Sequence, residues 1–300
     1  MKKPLNRFLI KVLLFALILT VFFETLFRLG FAPIVTNSTF FDQKMLAVQK
    51  QSIKNVKLLA MGSSVALYEL NSKIIARHIE LPYYNFASWG LQITDTKALL
   101  TSFVSRYHPR YVILCSSIGD FITPRNETYL NYVNACDFIK NDMPECFYFT
   151  NYNSVYQVVR RKLITYPIAL DQWGGASLSI KEINKDKWNE HNIFPTRYTP
   201  GNYLALESLA SFLKTQKVKL IFIQVPLKKS YANTHQSQRL LSWHFERCRS
   251  IVEAQGGTYL NYYNTAVFAD NLFTDQYHLL NEGSIILTKE ILRDLKGIVR

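Results

Sequence analysis

Val56-Lys57-Leu58-Leu59-Ala60-Met61-Gly62-Ser63-Ser64 opens on an apolar run, passes through a glycine and ends on paired serines, and a helix-like stretch from Val65 to Ile79 follows directly. The order strand, turn, helix places Ser64 on the turn at a strand's carboxyl end, where open α/β sheets collect their chemistry. With this first run, Val56 to Met61, four others read as strands: Tyr83 to Ser88, Tyr111 to Ser116, Val218 to Val225 and Thr258 to Tyr263. Most are too continuously apolar for a sheet wetted on one face, which predicts parallel strands covered on both sides. Helical patterns at Thr94 to Tyr107, Tyr203 to Gln216, Ser237 to Gln255 and Asn281 to Leu295 alternate with them, and Gly256-Gly257 supplies a stop after Gln255. The pattern predicts an α/β fold, a three-layer sandwich around a five-stranded parallel sheet.

Near the other end of the chain, Asp275-Gln276-Tyr277-His278 sets a carboxylate three residues before a histidine, and Leu279-Leu280-Asn281-Glu282-Gly283 leads into the terminal helix. A serine hydroxyl is a poor nucleophile at neutral pH and needs a base within hydrogen-bond reach. His278 is the candidate base for Ser64, and Asp275 the candidate to hold the other ring nitrogen and stabilise the imidazolium. Each residue also has a plainer reading. Ser63 and Ser64 suit a helix cap, Asp275 and Gly90 suit turns, and His278 suits a satisfied surface position. Their joint occurrence, in this order and at opposite ends of the βα pattern, favours the catalytic set.

These same residues carry a resemblance. Gly62-Ser63-Ser64 resembles the first block of the SGNH hydrolase superfamily, and Asp275 to His278 resembles its last block, Asp-x-x-His. Between them, Tyr84-Asn85-Phe86-Ala87-Ser88-Trp89-Gly90 is similar to the second block, whose glycine lends a backbone N–H to an oxyanion hole. The resemblance implies the SGNH, flavodoxin-like form of the three-layer fold, an acyl-serine at Ser64, and an oxyanion hole built from the backbone N–H groups of Ser64 and Gly90. The third block of that superfamily offers an Asn after a central strand. Here Tyr111 to Ser117 leads into Ile118-Gly119-Asp120-Phe121, with no Asn before Asn126, so the resemblance assigns no side-chain oxyanion donor there. Membrane-anchored branches similar to this chain include the alginate O-acetylation and teichoic-acid D-alanylation transfer proteins. They imply acyl transfer to a cell-envelope polysaccharide, with a multi-pass membrane O-acyltransferase as the donor-side partner. An O-acyl esterase with the same triad, and a non-catalytic polymer-binding or assembly protein, are the alternatives.

The amino terminus fits an anchor. Phe8 to Phe27 is apolar except for Lys11, Thr20, Glu24 and Thr25, about the length needed to cross a bilayer. Lys2, Lys3, Arg7 and Lys11 precede or open the span, so the positive-inside rule puts the tail in the cytoplasm and the main domain outside. A cleaved signal peptide would carry a shorter apolar core and a small-residue cleavage site, and no convincing site of that kind follows. The expected organisation is a tail and transmembrane anchor over 1–32, a linker over 33–55, and one α/β domain over 56–300 with an insertion at about 125–200. That insertion is rich in Tyr, Asn, Trp and Phe. Its Trp173 and Trp188 suit either sugar stacking or, the favoured reading, packing of the insertion's own small core.

The net charge of +13, from 35 Lys and Arg against 22 Asp and Glu, suits an anionic lipid surface or acidic polymer. The basic residues are spread along the chain and form no nucleic-acid motif, so no nucleic-acid partner is expected. Neither the four cysteines nor the six histidines show metal-site spacing, and no metal or cofactor is expected. In an exported domain, Cys136 and Cys146 are the expected disulfide, with Cys115 and Cys248 as buried thiols.

Overall fold

A computed structural model of the protein describes residues 2–29, 38–50, 52–121, 136, 139, 169–178, 198–263, 265 and 268–299. The chain divides into two compact units: 1–52 with 130–165, and 53–129 with 166–300. In the first unit, helix α1 (Lys2–Arg28) contains a 23-residue stretch, Pro4–Leu26, long and apolar enough to cross a membrane. None of its most apolar window is buried, unlike the core helix of a soluble domain. Helix α2 (Thr39–Gln49) starts at Ser38, whose hydroxyl accepts the Phe41 N–H at 3.3 Å.

The second unit is the α/β sandwich. Its strands are β1 (Leu58–Gly62), β2 (Tyr83–Asn85), β3 (Tyr111–Ser116), β4 (Lys219–Gln224) and β5 (Thr258–Asn261), all parallel, in the order β2-β1-β3-β4-β5. Every residue of β1 is buried, as are all but the first of β3 and of β4, which matches their unbroken apolar runs. The chain moves from β1 outward to β2, then crosses back to lay β3 on the other side of β1. That reversal opens a crevice beyond the carboxyl ends of β1 and β3, the topological switch point where such sheets bind ligands.

The helices are α3 (Ser64–Glu69), α4 (Ser72–His78), α5 (Ile93–Tyr107), α6 (Pro200–Thr215), α7 (His235–Ala254) and α8 (Asn281–Leu295). The single helix expected from Val65 to Ile79 is two. The break lies at Asn71, whose side-chain oxygen accepts the Ile74 N–H at 3.1 Å while its own N–H donates to Thr288 Oγ1 at 2.9 Å. A capping Asn held by a third element stops one helix and starts the next. Strand β2 ends three residues short of the expected Ser88. Asn85 Oδ1 accepts the Ala87 N–H at 2.9 Å and its Nδ2 donates to Ala66 O at 2.8 Å, while Phe86 N–H and Ser88 N–H still donate to Ala60 O at 2.8 Å and Gly62 O at 3.1 Å on β1.

Most of the expected insertion at about 125–200, including Trp188, lies outside the described residues, and so does Cys146 of the expected disulfide. The part seen, 169–178, runs along the outer edge of β2, where Asn85 N–H donates to Trp173 O at 2.9 Å. Cys115 and Cys248 are buried thiols, as expected.

At the end of β1 the backbone needs a glycine. Gly62 has φ +145°, and a Cβ there would lie 2.1 Å from the Cys115 carbonyl oxygen. Gly62→Ala is expected to cost on the order of 3 kcal/mol or to prevent folding, because both backbone strain and a backbone clash oppose it. Gly256→Ala also sits at positive φ, but a Cβ there meets nothing within 4 Å. It should cost about 1 kcal/mol or less. Urea unfolding of the two variants measures the contrast.

Candidate active site

Beyond Gly62 the chain makes one extended residue, Ser63, before α3 begins at Ser64. Ser63 occupies the N-cap position, yet its side chain makes no capping hydrogen bond. Ser64 Oγ lies 2.8 Å from His278 Nε2. Neither serine serves the helix terminus, so the plainer capping reading does not describe them.

The histidine is placed by its neighbours in sequence. Asp275 Oδ1 accepts the backbone N–H groups of Tyr277 at 2.8 Å and His278 at 2.7 Å, which folds Asp275 to His278 into a tight turn. Asp275 Oδ2 lies 2.7 Å from His278 Nδ1. The three-residue spacing lets one carboxylate both shape the turn and hold the imidazole it presents. With Nδ1 donating to the carboxylate, Nε2 is left to accept the Ser64 hydroxyl. The turn is braced by Thr274 N–H to His278 O at 2.8 Å and Lys228 N–H to Gln276 O at 3.1 Å. The Tyr68 ring meets the imidazole edge-on at 6.0 Å, and the Tyr231 and Tyr277 hydroxyls bond to each other nearby.

Ser64, His278 and Asp275 therefore form one hydrogen-bonded chain across the crevice. Gly90, with φ +66°, lies on the turn after β2, which Ser88 N–H ties to Gly62 O at 3.1 Å. That turn runs beside the one bearing Ser64.

Three carboxyl groups lie in or behind the site, in different electrostatic states. Burial pushes Asp275 up, but the hydrogen bond and charge of His278, with the two backbone donors, outweigh it and hold the carboxyl below its usual range. Glu69, at the end of α3, is fully buried. Burial first, then the carboxylates of Asp275 and Asp120, pushes it well above its usual range. Asp120 is raised to about 6 by burial, offset in part by hydrogen bonds from Ser63, Ser117 and Ser116 and by the charge of His278. Its Oδ2 accepts Ser116 Oγ at 2.7 Å and the Ser117 N–H at 3.0 Å.

Sequence reasoning gave no role to Asp120 or Glu69. For Asp120 a signal existed, since Gly119-Asp120 stands where the sequence resemblance looks for its third block. For Glu69, a single acid in a short helix, none did.

Linkage gives the two aspartates opposite signs. Asp120 is raised above the ordinary aspartate value of about 3.9, so its contribution to stability is full below that value and is lost as pH rises through about 6. Glu69 acts in the same direction. Asp275 is depressed, so its contribution is full above about 3.9 and is lost as pH falls through its lower folded value. In urea unfolding followed against pH, Asp120→Asn should remove part of the stability gained between about pH 6.5 and 4, and Asp275→Asn should flatten the loss below about pH 4.

No protein-family model matches the chain, and no curated protein does. Among solved structures it is similar to LAE5, an α/β hydrolase enzyme from the Lake Arreo metagenome, at 11% identity and a TM-score of 0.47, over 82% of this chain and 97% of that one. An acetylxylan esterase from Geobacillus stearothermophilus is similar at 12% identity and a TM-score of 0.46, over 81% and 95%. A lipase/acylhydrolase from Enterococcus faecalis is similar at 13% identity and 0.44, over 82% and 98%. The functional reading rests on the side-chain geometry of the crevice.

Proposed function

We propose that this chain is a membrane-anchored SGNH-type serine enzyme that carries an acyl group on Ser64 and transfers it to a hydroxyl of a cell-envelope polysaccharide. The observation that carries the chemistry is the chain from Ser64 Oγ through His278 to Asp275, at 2.8 and 2.7 Å. Ser64 Oγ attacks the acyl carbonyl as its proton passes to His278 Nε2, and Asp275 steadies the imidazolium. The tetrahedral oxyanion is received by the backbone N–H groups of Ser64 and Gly90, each worth roughly 2–4 kcal/mol of barrier when preorganised. His278 returns the proton to the leaving group. An acceptor hydroxyl then gives its proton to His278 and attacks the acyl-serine, and His278 passes that proton to Ser64 Oγ as it leaves.

Up to the acyl-enzyme, this chemistry is shared with an esterase, and only the second attacking group differs. Transfer to a polymer is supported by the apolar α1, which would hold the enzyme at a membrane, and by the net charge of +13, which suits an acidic polymer or lipid surface. The donor in this reading is a multi-pass membrane O-acyltransferase.

A fluorophosphonate should label Ser64 covalently. Ser64→Ala should abolish labelling, and His278→Ala should slow it on the order of 10⁴-fold or more, with Asp275→Asn close behind because an amide holds the wrong tautomer. Ser64 acylated with labelled p-nitrophenyl acetate should lose its label slowly to buffer and faster to isolated envelope polysaccharide. Hydrolysis that polysaccharide does not divert would identify an esterase, and a Ser64 that never acylates or labels would leave a non-catalytic protein. For topology, Lys2, Lys3, Arg7 and Lys11 orient α1 with its start in the cytoplasm. A reporter active only outside the cytoplasm, fused after Arg300, should be active.

A further inference from the structure

The turn that carries Gly90 is anchored at both ends. Before it, Ser88 N–H donates to Gly62 O at 3.1 Å, and after it Gln92 N–H donates to Asp95 Oδ2 at 3.0 Å at the start of α5. Between these anchors Gly90 takes φ +66°, and the indole N–H of Trp89 donates to Tyr68 Oη. An indole nitrogen donates and does not accept, so the phenol oxygen is the acceptor. The two rings lie 6.4 Å apart at 50°. Tyr68 belongs to α3, four residues after Ser64, and side chains four apart on a helix share a face. It is 1% exposed, and its ring also meets His278 edge-on at 6.0 Å and 77°. One buried side chain thus reaches the Gly90 turn with its hydroxyl and the base with its ring, from the helix that begins at the nucleophile.

We propose that Tyr68 is a positioning residue: its hydroxyl, acting through the Trp89 indole, sets the Gly90 turn against Ser64, so that the backbone N–H groups of Ser64 and Gly90 meet one oxyanion. The inference rests on the acyl-serine reading and deepens it. Two N–H groups on separate turns form a hole only if both turns hold fixed places, because each donor must meet the oxygen at about 2.7–3.1 Å. A glycine at positive φ is the softest link in such a turn, and the indole beside it supplies the stiffness. The Ser88 and Gln92 hydrogen bonds hold the ends of the turn to β1 and α5. The Tyr68 hydrogen bond holds its middle to the helix that begins with the nucleophile. Phenylalanine at this position would keep the ring against His278 and leave the indole donor without this acceptor, free to turn toward another.

The test uses the full chain in detergent and compares acylation of Ser64 by p-nitrophenyl acetate and by p-nitrophenyl thionoacetate, in which sulfur replaces the carbonyl oxygen. Sulfur accepts hydrogen bonds weakly, so a misplaced oxyanion donor slows the ester more than the thionoester, whereas loss of folded protein slows both alike. Tyr68→Phe and Trp89→Phe are each expected to slow ester acylation about 10-fold and thionoester acylation about 3-fold or less, a fraction of the cost of removing one oxyanion donor outright. The double variant should be no slower on the ester than the worse single one, since both remove one interaction. Tyr68→Phe deletes a single oxygen, so it gives the answer if Trp89→Phe fails to fold. An ester-to-thionoester ratio that stays at the wild-type value in Tyr68→Phe, or effects that multiply in the double variant, overturn the assignment. If wild-type Ser64 is acylated by neither compound, the acyl-serine reading fails, and the chain labelled with ¹⁵N-tryptophan decides the tie between Tyr68 and the turn separately. A Trp89 backbone N–H signal that moves in Tyr68→Phe together with the indole signal supports it, and a backbone signal that does not move overturns it.

Discussion

Strand β1 must run beside β3 up to Gly62 and then part from it within one residue, and the site depends on how that is done. The pairing of Gly62 with Cys115 is so close that a single methyl group would strike the Cys115 carbonyl oxygen. Because the strands are parallel, both exits point the same way, and the chain order β1, β2, β3 sends their continuations to opposite sides of the crevice. The glycine lets the backbone turn sharply enough to start α3 at once, and that puts Ser64 over the crevice, where the turn before α8 brings His278 to meet it. A longer turn would carry the serine past the imidazole, and a bulkier residue would push the two strands apart.

How such a site holds its charge is the second constraint. Asp275, Glu69 and Asp120 are mutually close enough to raise Glu69 together, and a crevice largely shut off from water cannot ionise all three cheaply. Hydrogen bonding divides them. Asp275 is favoured as the anion because His278 and two backbone N–H groups point at it. Glu69 lies deepest and is pushed furthest toward its neutral form. Asp120 lies between, with three donors set against its burial. The negative charge is thereby kept on the carboxylate that faces the imidazole, where it stabilises an imidazolium.

Much of this was legible in the sequence, and the rest was hidden for identifiable reasons. Strands β1, β3 and β4 announce themselves because burial on both faces forces unbroken apolar runs, and α8 was bounded at Asn281 and Leu295 by its own periodicity. The split between α3 and α4 was not visible, because Asn71 stops the helix by reaching Thr288, some two hundred residues away in the chain. The meeting of Ser64, Asp275 and His278 could be read because the roles proposed for them demand particular residue types at particular ends of strands and turns. Glu69 could not, because an acid in a short helix normally faces water, and for Asp120 the one signal was its place after β3, where the resemblance sets its third block. Only the packing of β1, β3 and α3 against the Asp275 turn makes them interior groups.

Two histidines show why hydrogen bonding alone does not make a base. His244 on α7 is fully buried, with Tyr203 Oη at 2.8 Å from Nδ1 and Gln224 Oε1 at 3.1 Å from Nε2. Burial pushes it down to about 3, and among the described residues no carboxylate adjoins either nitrogen to stabilise a cation. Both partners are neutral, so the ring is locked as a neutral packing unit between Phe121 and the end of β4. His278 instead has the Asp275 carboxylate at one ring nitrogen and the Ser64 hydroxyl at the other. Its side chain also keeps 14% of its surface exposed, as the proposed acyl transfer requires. The difference between the two lies in which partners could share a positive charge, and that follows from where each segment meets the sheet: α7 lies along its flank, while the Asp275 turn crosses its open carboxyl end.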